Sequence, residues 1–367
     1  MRWYIALLWF LLRLTGRLPL RALHALGAGL GLLLWWLPTR LAHHTRVNLD
    51  LVLPQYAKEQ RRRLGRRTLQ ETGKSITEIA RIWGRGPERA LPLVREVAGQ
   101  ELFDAARHAG RGLIVAAPHL GCWELLNFWL CQHTLPPDAA GAMGEAGEAG
   151  EADIEPATGA SCTRDTRPSL AIGRSSASCT RDTRPSLAIG RSSASCTRDT
   201  RPSLAIVYRP PRRAAIEPLL VAARGALRPE QVRAEGAGIR TLYRRLQSGG
   251  VVGILPDQLP KQGEGEFAPF FGVPALTMVL VSRLAQRTGC AVLFAFAERL
   301  PRGAGYRIHF RPAPDGIADP DLAHAVTALN QGVEDCVHQA FTQYQWHYKR
   351  YQYRPDPAAP NPYWRGR

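Results

Sequence analysis

The 367-residue chain contains no Cys-x-x-Cys pair, and its seven cysteines are scattered without zinc-ligand spacing. That pattern excludes a disulfide framework and a recognisable zinc site as the basis of the fold. Three of the seven recur inside one repeated unit. The other four (Cys122, Cys131, Cys290 and Cys336) read as reduced thiols of a cytosol-facing body. Long apolar runs are also missing: none reaches the roughly 20 residues of a full membrane span. Acidic residues are scarce, 31 against 48 lysines and arginines, for a net charge of +17. Such a surplus fits nucleic acid, an anionic membrane surface or a phosphorylated substrate. The arginines are spread along the chain and form no recognisable nucleic-acid-binding module, so no nucleic-acid partner is expected.

What is present begins with two shorter apolar runs. Trp3 to Leu12 is followed by Arg13, Arg17 and Arg21, and Ala22 to Leu37, broken by His24, closes on Trp35-Trp36-Leu37-Pro38. Arginines and tryptophans at the edges suit headgroup depth. No small-x-small cleavage site precedes Arg13, so residues 1–38 are expected to be a retained membrane anchor. The basic stretch Lys58 to Arg67 offers a further contact for anionic headgroups. Thr68 to Trp83 has the apolar spacing of a core helix.

The body, at 45% hydrophobic content, holds enough apolar residues for one large core. Leu113 to Ala117 is a short apolar run of buried-strand type, stopped by Pro118. His119 follows at its carboxyl end, Gly121 relaxes the turn, and Trp123 opens a helix with Glu124 in its first turn. A loop imidazole and a first-turn carboxylate at this spacing can meet. The acid would then fix the tautomer and leave the second ring nitrogen as a base. Leu204 to Tyr208 is another strand, ending at Arg209. Val251 to Leu255 is a third, ending at Pro256-Asp257-Gln258. Polar endings on several apolar strands are what a ligand crevice at the carboxyl edge of an open α/β sheet requires. Ala291 to Ala297 and Tyr306 to Arg311 complete the strands, and Asp319 to Tyr344 carries an apolar helical stripe. Gly263 to Thr277 reads as a Gly/Pro loop whose phenylalanines could wall an apolar substrate. Trp346 to Arg367 reads as a basic aromatic tail over the surface or membrane.

One segment stands apart. After Leu135-Pro136-Pro137 come Gly/Ala/Glu-rich residues. Then Ser-Cys-Thr-Arg-Asp-Thr-Arg-Pro-Ser-Leu-Ala-Ile occurs three times, starting at Ser161, Ser178 and Ser195. Each unit lacks the hydrophobic face a solenoid needs to stack. Residues 138–202 are expected to form a disordered insertion.

His119-Leu-Gly-Cys-Trp-Glu124, Tyr208-Arg209-Pro210, Asp257-Gln258 and Phe270-Phe271-Gly272-Val-Pro-Ala-Leu-Thr277 occur in the order seen in the bacterial lipid A biosynthesis (lauroyl/myristoyl) acyltransferases, which the chain resembles over its whole length outside the insertion. An anchor followed by Asn48-Leu49 adds to the likeness, and Cys122 departs from it, standing where the family commonly has Asn. The resemblance implies a central, mostly parallel sheet flanked by helices, of glycerolipid-acyltransferase type. It implies one α/β domain from residues 39–137 and 203–345, an anchor at 1–38 and a tail at 346–367. It also implies transfer of a fatty acyl chain from the thioester of acyl carrier protein to a hydroxyl of a lipid A precursor at the cytoplasmic side of the inner membrane. His119 would be general base, polarised by Glu124, with an oxyanion held by amides near Gly121. Arg209, Asp257, Gln258, Gly121 and Trp123 would bind substrate. No metal or cofactor would be needed beyond the acyl carrier protein co-substrate. Its partners would be the carrier protein, the anionic glycolipid and the bilayer. Two other readings are a different phospholipid or glycolipid acceptor and an inactive relative disrupted by the insertion.

Overall fold

The computed structural model describes residues 3–134, 204–208, 229–233, 236–260 and 263–364. The insertion at 138–202 and Arg209 lie outside the described residues. The described residues belong to the unit formed by Met1–Ala140 and Pro202–Arg367.

The chain opens with α1 (Trp3–Thr15) and α2 (Leu20–Trp36), bent against each other by 115°. Among the described residues no single helix is long and apolar enough to cross a membrane, although this bent pair passes by length and composition. Leu7, Leu11, Leu14, Leu26, Leu33 and Trp36 are exposed on it. The opposite face of α2 is docked. After α3 (Arg40–Val52), the helix α4 (Lys58–Arg85) runs along it. The backbones approach so closely that a Cβ at Gly73 would lie 1.9 Å from the Gly27 carbonyl oxygen. Only a glycine pair permits that contact. Thr77 Oγ1 donates to the Leu23 carbonyl at 2.7 Å across the same seam. The expected anchor is therefore packed on the body along one side. The basic stretch and the core helix expected separately at 58–67 and 68–83 are one 28-residue helix.

After the short α5 (Pro87–Ala90) come β1 (Val94–Ala98), α6 (Gln100–His108), β2 (Leu113–Ala116), α7 (Trp123–Thr134), β3 (Leu204–Tyr208), β4 (Glu230–Arg233), α8 (Ala237–Gln247), β5 (Val251–Ile254), β6 (Gly265–Phe270), β7 (Val273–Met278), α9 (Leu280–Thr288), β8 (Ala291–Arg299), β9 (Tyr306–Pro312) and α10 (Leu322–Gln339). The seven-stranded sheet has the order β1-β9-β8-β2-β5-β3-β4. Every neighbouring pair is parallel except β8 with β9.

Strand β2 sits between β8 and β5, and all four of its residues are buried. Alternate side chains leave a strand on opposite faces. Leu113 and Val115 pack in a core with Phe103, Leu125 and Trp129, whereas Ile114 and Ala116 pack with Val281, Leu329 and Val333. Helices therefore cover both faces, which explains a continuous apolar run rather than alternation. Each fully buried aliphatic side chain here contributes about 1.5–3 kcal/mol.

Two sequence expectations are corrected. Gly263 to Thr277 is a β6–β7 antiparallel hairpin, not a loop, and Phe270 is 1% exposed within the core. The tail from Trp346 is not laid over the surface: Trp346, Tyr351 and Tyr363 are buried. The two corrections have one cause. Phe270 packs near Tyr344 and Tyr351, Phe271 against Trp346, and the Tyr351 hydroxyl donates to the Phe270 carbonyl at 3.0 Å. Asn48 donates to the Tyr348 carbonyl at 2.8 Å and accepts from the Tyr363 hydroxyl, so it ties α3 to the same tail.

Candidate active site

Strand register builds the site. Ala116 on β2 is level with Ile254 on β5, and the Ala117 amide extends the ladder by donating to the Ile254 carbonyl at 2.8 Å. Each strand then stops at a proline, in Ala117-Pro118-His119 and Leu255-Pro256-Asp257. Residues three positions beyond a matched pair on parallel neighbours emerge side by side. Accordingly, His119 and Asp257 meet. The Asp257 carboxylate accepts from the His119 backbone amide (N–Oδ2, 2.9 Å) and from the ring (Nδ1–Oδ1, 2.8 Å). Gln258 Nε2 lies 3.0 Å from His119 Nε2. With Nδ1–H directed at the carboxylate, Nε2 carries the lone pair and accepts from the Gln258 amide.

The electrostatics follow from burial. Side-chain exposure is 3% for Asp257 and 14% for His119. Desolvation alone would push the Asp257 carboxyl up. The adjoining His119 charge and hydrogen bonds outweigh it and hold this carboxyl below its usual range. His347, a residue sequence reasoning missed, is pushed down to about 4 by burial and by the neighbouring His119 and His44. It belongs to the tail segment that closes over the site. The Gln345 amide donates to the His119 carbonyl at 3.0 Å, and the Leu259 amide donates to the Tyr348 hydroxyl at 3.0 Å.

Glu124 lies in the first turn of α7 and is 6% exposed. Among hydrogen bonds between described residues, the ring nitrogens of His119 meet Asp257 and Gln258 and not Glu124. The tautomer-fixing place expected for Glu124 is thus filled from β5. Trp123 lies beside the imidazole, with ring centroids 6.5 Å apart.

Gly121 turns the chain at φ 65°, and a Cβ there would sit 1.9 Å from the Ala297 carbonyl oxygen on β8. Its amide donates to the Gln343 carbonyl at 3.3 Å, and the Cys122 amide to the Ala297 carbonyl at 2.8 Å. These two amides, expected as oxyanion donors, already have acceptors. The Gly121 carbonyl accepts from Arg299 Nη2 at 2.8 Å. Arg299 in turn forms a buried bidentate pair with Glu78 of α4 (Nη2–Oε1, 2.6 Å; Nε–Oε2, 2.8 Å). Glu78 also accepts from the Tyr306 hydroxyl at 2.8 Å and lies 3.2 Å from His24 Nε2 of α2. Burial would raise the Glu78 carboxyl, but Arg299 and His24 together bring it down to about 2. Sequence reasoning missed this network, which supports the His119 turn from beneath. Its hydrogen-bonded members are separated by as many as 228 positions along the chain. The one signal available was His24 inside an otherwise apolar run.

Among the described residues no group of three or more His, Cys, Asp or Glu side chains could hold a metal ion. The His119 imidazole held by the buried Asp257 carboxylate is suited to moving a proton from a hydroxyl group.

A family model described as bacterial lipid A biosynthesis acyltransferase matches residues 1–144 and 193–353. The chain belongs to that family. It is 24% identical over 354 residues to the lipid A biosynthesis lauroyltransferase of Escherichia coli strain K12, covering 96% of this chain and 91% of that protein. It is 23% identical over 358 residues to the lipid A biosynthesis palmitoleoyltransferase of the same strain (95% and 92% covered). The same figures hold for a lipid A biosynthesis acyltransferase of Shigella flexneri. The family match ends at residue 144 and resumes at residue 193, so it leaves out most of the repeated segment. His119, Glu124, Asp257 and Gln258 all lie inside the matched ranges.

Proposed function

We propose that this chain transfers a fatty acyl group from the thioester of acyl carrier protein to a hydroxyl of a lipid A precursor of the Kdo2-lipid IVA type, at the cytoplasmic side of the inner membrane. The observation that carries the mechanism is the His119 imidazole clamped between Asp257 and Gln258. An alcohol is a poor nucleophile at neutral pH. His119 Nε2, released from Gln258 as the acceptor enters, takes the hydroxyl proton while the oxygen attacks the thioester carbonyl. An ester C–O bond forms, the C–S bond breaks, and the imidazolium returns its proton to the leaving thiolate. Asp257 keeps Nδ1 protonated and stabilises the imidazolium. Such a base contributes about 10² to 10⁴ in rate.

Glu124 stands at the mouth of α7, and family resemblance gives it a catalytic part. Arg209 would grip a phosphate or sugar hydroxyl of the acceptor, a task for a bidentate guanidinium. The exposed leucines of α1 and α2 support seating on a bilayer, and the net charge of +17 suits both an acidic carrier protein and an anionic glycolipid. The test is turnover by purified His119→Ala, Asp257→Asn and Glu124→Gln proteins with labelled acyl carrier protein. All three should melt near wild type. The first two should lose about 10² to 10⁴ in kcat. Unchanged turnover in Asp257→Asn would remove the clamp from the mechanism, and unchanged turnover in His119→Ala would remove the base.

A further inference from the structure

A cavity of about 600 Å³ lies away from the His119 turn, between α2, α4 and the turn after β8. Three cations line it, Arg21, Lys74 and Arg302, with His24 also in the wall, and no acid among the lining residues. Lys74 is paired with Glu71 at 2.5 Å. Arg21 and Arg302 are exposed and form no ion pair among the described residues. Arg302 has φ 57°, one of two described non-glycine residues at positive φ. A side chain held in that region is uncommon, and such strain concentrates at functional sites.

Like charges converging without a counter-ion repel unless an anion joins them. The two guanidinium forks of Arg21 and Arg302 match the oxygens of a tetrahedral phosphate, while the Lys74 ammonium is already held by Glu71. The helix α2 that supplies one wall also carries the exposed Leu26, Leu30, Leu33 and Trp36. A phosphate carried at the edge of an apolar phase meets both features at once, whereas a free anion uses only the first. We propose that this cavity binds the phosphate of an anionic lipid headgroup and so seats the N-terminal helices on the bilayer. The inference rests on the membrane-bound reading above but concerns a site apart from the catalytic turn. Its wall nevertheless reaches that turn: His24 Nε2 is 3.2 Å from Glu78, which holds Arg299, which holds the Gly121 carbonyl.

The test is flotation of the full chain with vesicles of phosphatidylcholine alone or doped with phosphatidic acid. Arg21→Gln with Arg302→Gln is compared with the charge-matched Arg240→Gln with Arg244→Gln on α8. At about one kcal/mol per cation near an anionic surface, the cavity variant should bind doped vesicles about tenfold or more weakly than wild type. The control should lose at most about twofold, since its arginines are exposed on a helix with no such cavity. Equal losses in the two variants would overturn the site and leave the membrane reading standing. Failure of wild type to float with either vesicle would overturn the membrane reading itself. Calorimetry with inorganic phosphate separates the sources. Binding of the free ion as tight as the lipid's, and equally sensitive to Arg21 and Arg302, would overturn the headgroup assignment.

Discussion

Replacing Arg299 by glutamine should destabilise the protein through Glu78. Arg299 is 4% exposed and Glu78 2%. Removing the guanidinium leaves a buried carboxylate without its bidentate partner, and breaking such a pair costs about 3–5 kcal/mol. A second route gives a similar size. A carboxyl held at about 2 in place of 4.5 corresponds to about 3 kcal/mol at neutral pH. For a unit of roughly 300 residues, unfolding entropy of about 2.1 cal/mol/K per residue converts 3–5 kcal/mol into roughly 5–8 °C of melting temperature. The assay is thermal unfolding by tryptophan fluorescence at one fixed scan rate and detergent concentration. The double variant Glu78→Gln with Arg299→Gln removes both charges and should melt above Arg299→Gln alone. The pH sign follows from a lowered carboxyl: its contribution is complete above the ordinary value of 4.5 and disappears as pH falls toward 2. Wild type should therefore lose its advantage over the double variant in that window. A single variant melting within about 1 °C of wild type, or a double variant melting well below the single, would refute the reasoning.

Other outcomes follow from the same geometry. Gly121→Ala places a Cβ 1.9 Å from the Ala297 carbonyl oxygen at a left-handed φ. It should cost about 2 kcal/mol or more and abolish transfer, checked by melting and turnover; a folded, active Gly121→Ala protein would contradict the tight turn. Arg209→Ala should raise KM for the lipid acceptor more than KM for the acyl donor, and equal rises would contradict the clamp. Deleting residues 139–202 should leave the melting temperature of the body within a few degrees of wild type, and a collapse would make the repeats structural.

Much of the frame was legible because it is local. The runs at 113–117 and 251–255 are short, apolar and bounded by Gly and Pro, the run at 291–297 is apolar throughout, and each became a strand beside the site. His119 was placed at a strand end by the same logic. Its carboxylate partner was not, because Glu124 is near in sequence and Asp257 is 138 positions away. The matched Ala-Pro-His and Leu-Pro-Asp endings carried that pairing for a reader who assumed adjacent strands. The β6–β7 hairpin and the tail were misread for a related reason. Phe270, Trp346 and Tyr351 look like surface aromatics in isolation and become core only in each other's presence. The Glu78–Arg299 pair was invisible because a charged residue on a long basic helix reads as solvated until another element covers it.

A lipid product is the most direct readout of the proposed transfer. Membranes carrying the wild-type chain or His119→Ala, supplied with acyl-loaded carrier protein and a tetra-acylated lipid A precursor, can be compared by mass spectrometry of the extracted lipid. Wild type should add one acyl chain to the precursor, and His119→Ala should leave it unmodified. Acylation of equal extent by the two proteins, or none by wild type with any carrier-bound chain, would contradict an acyl transfer run by this imidazole.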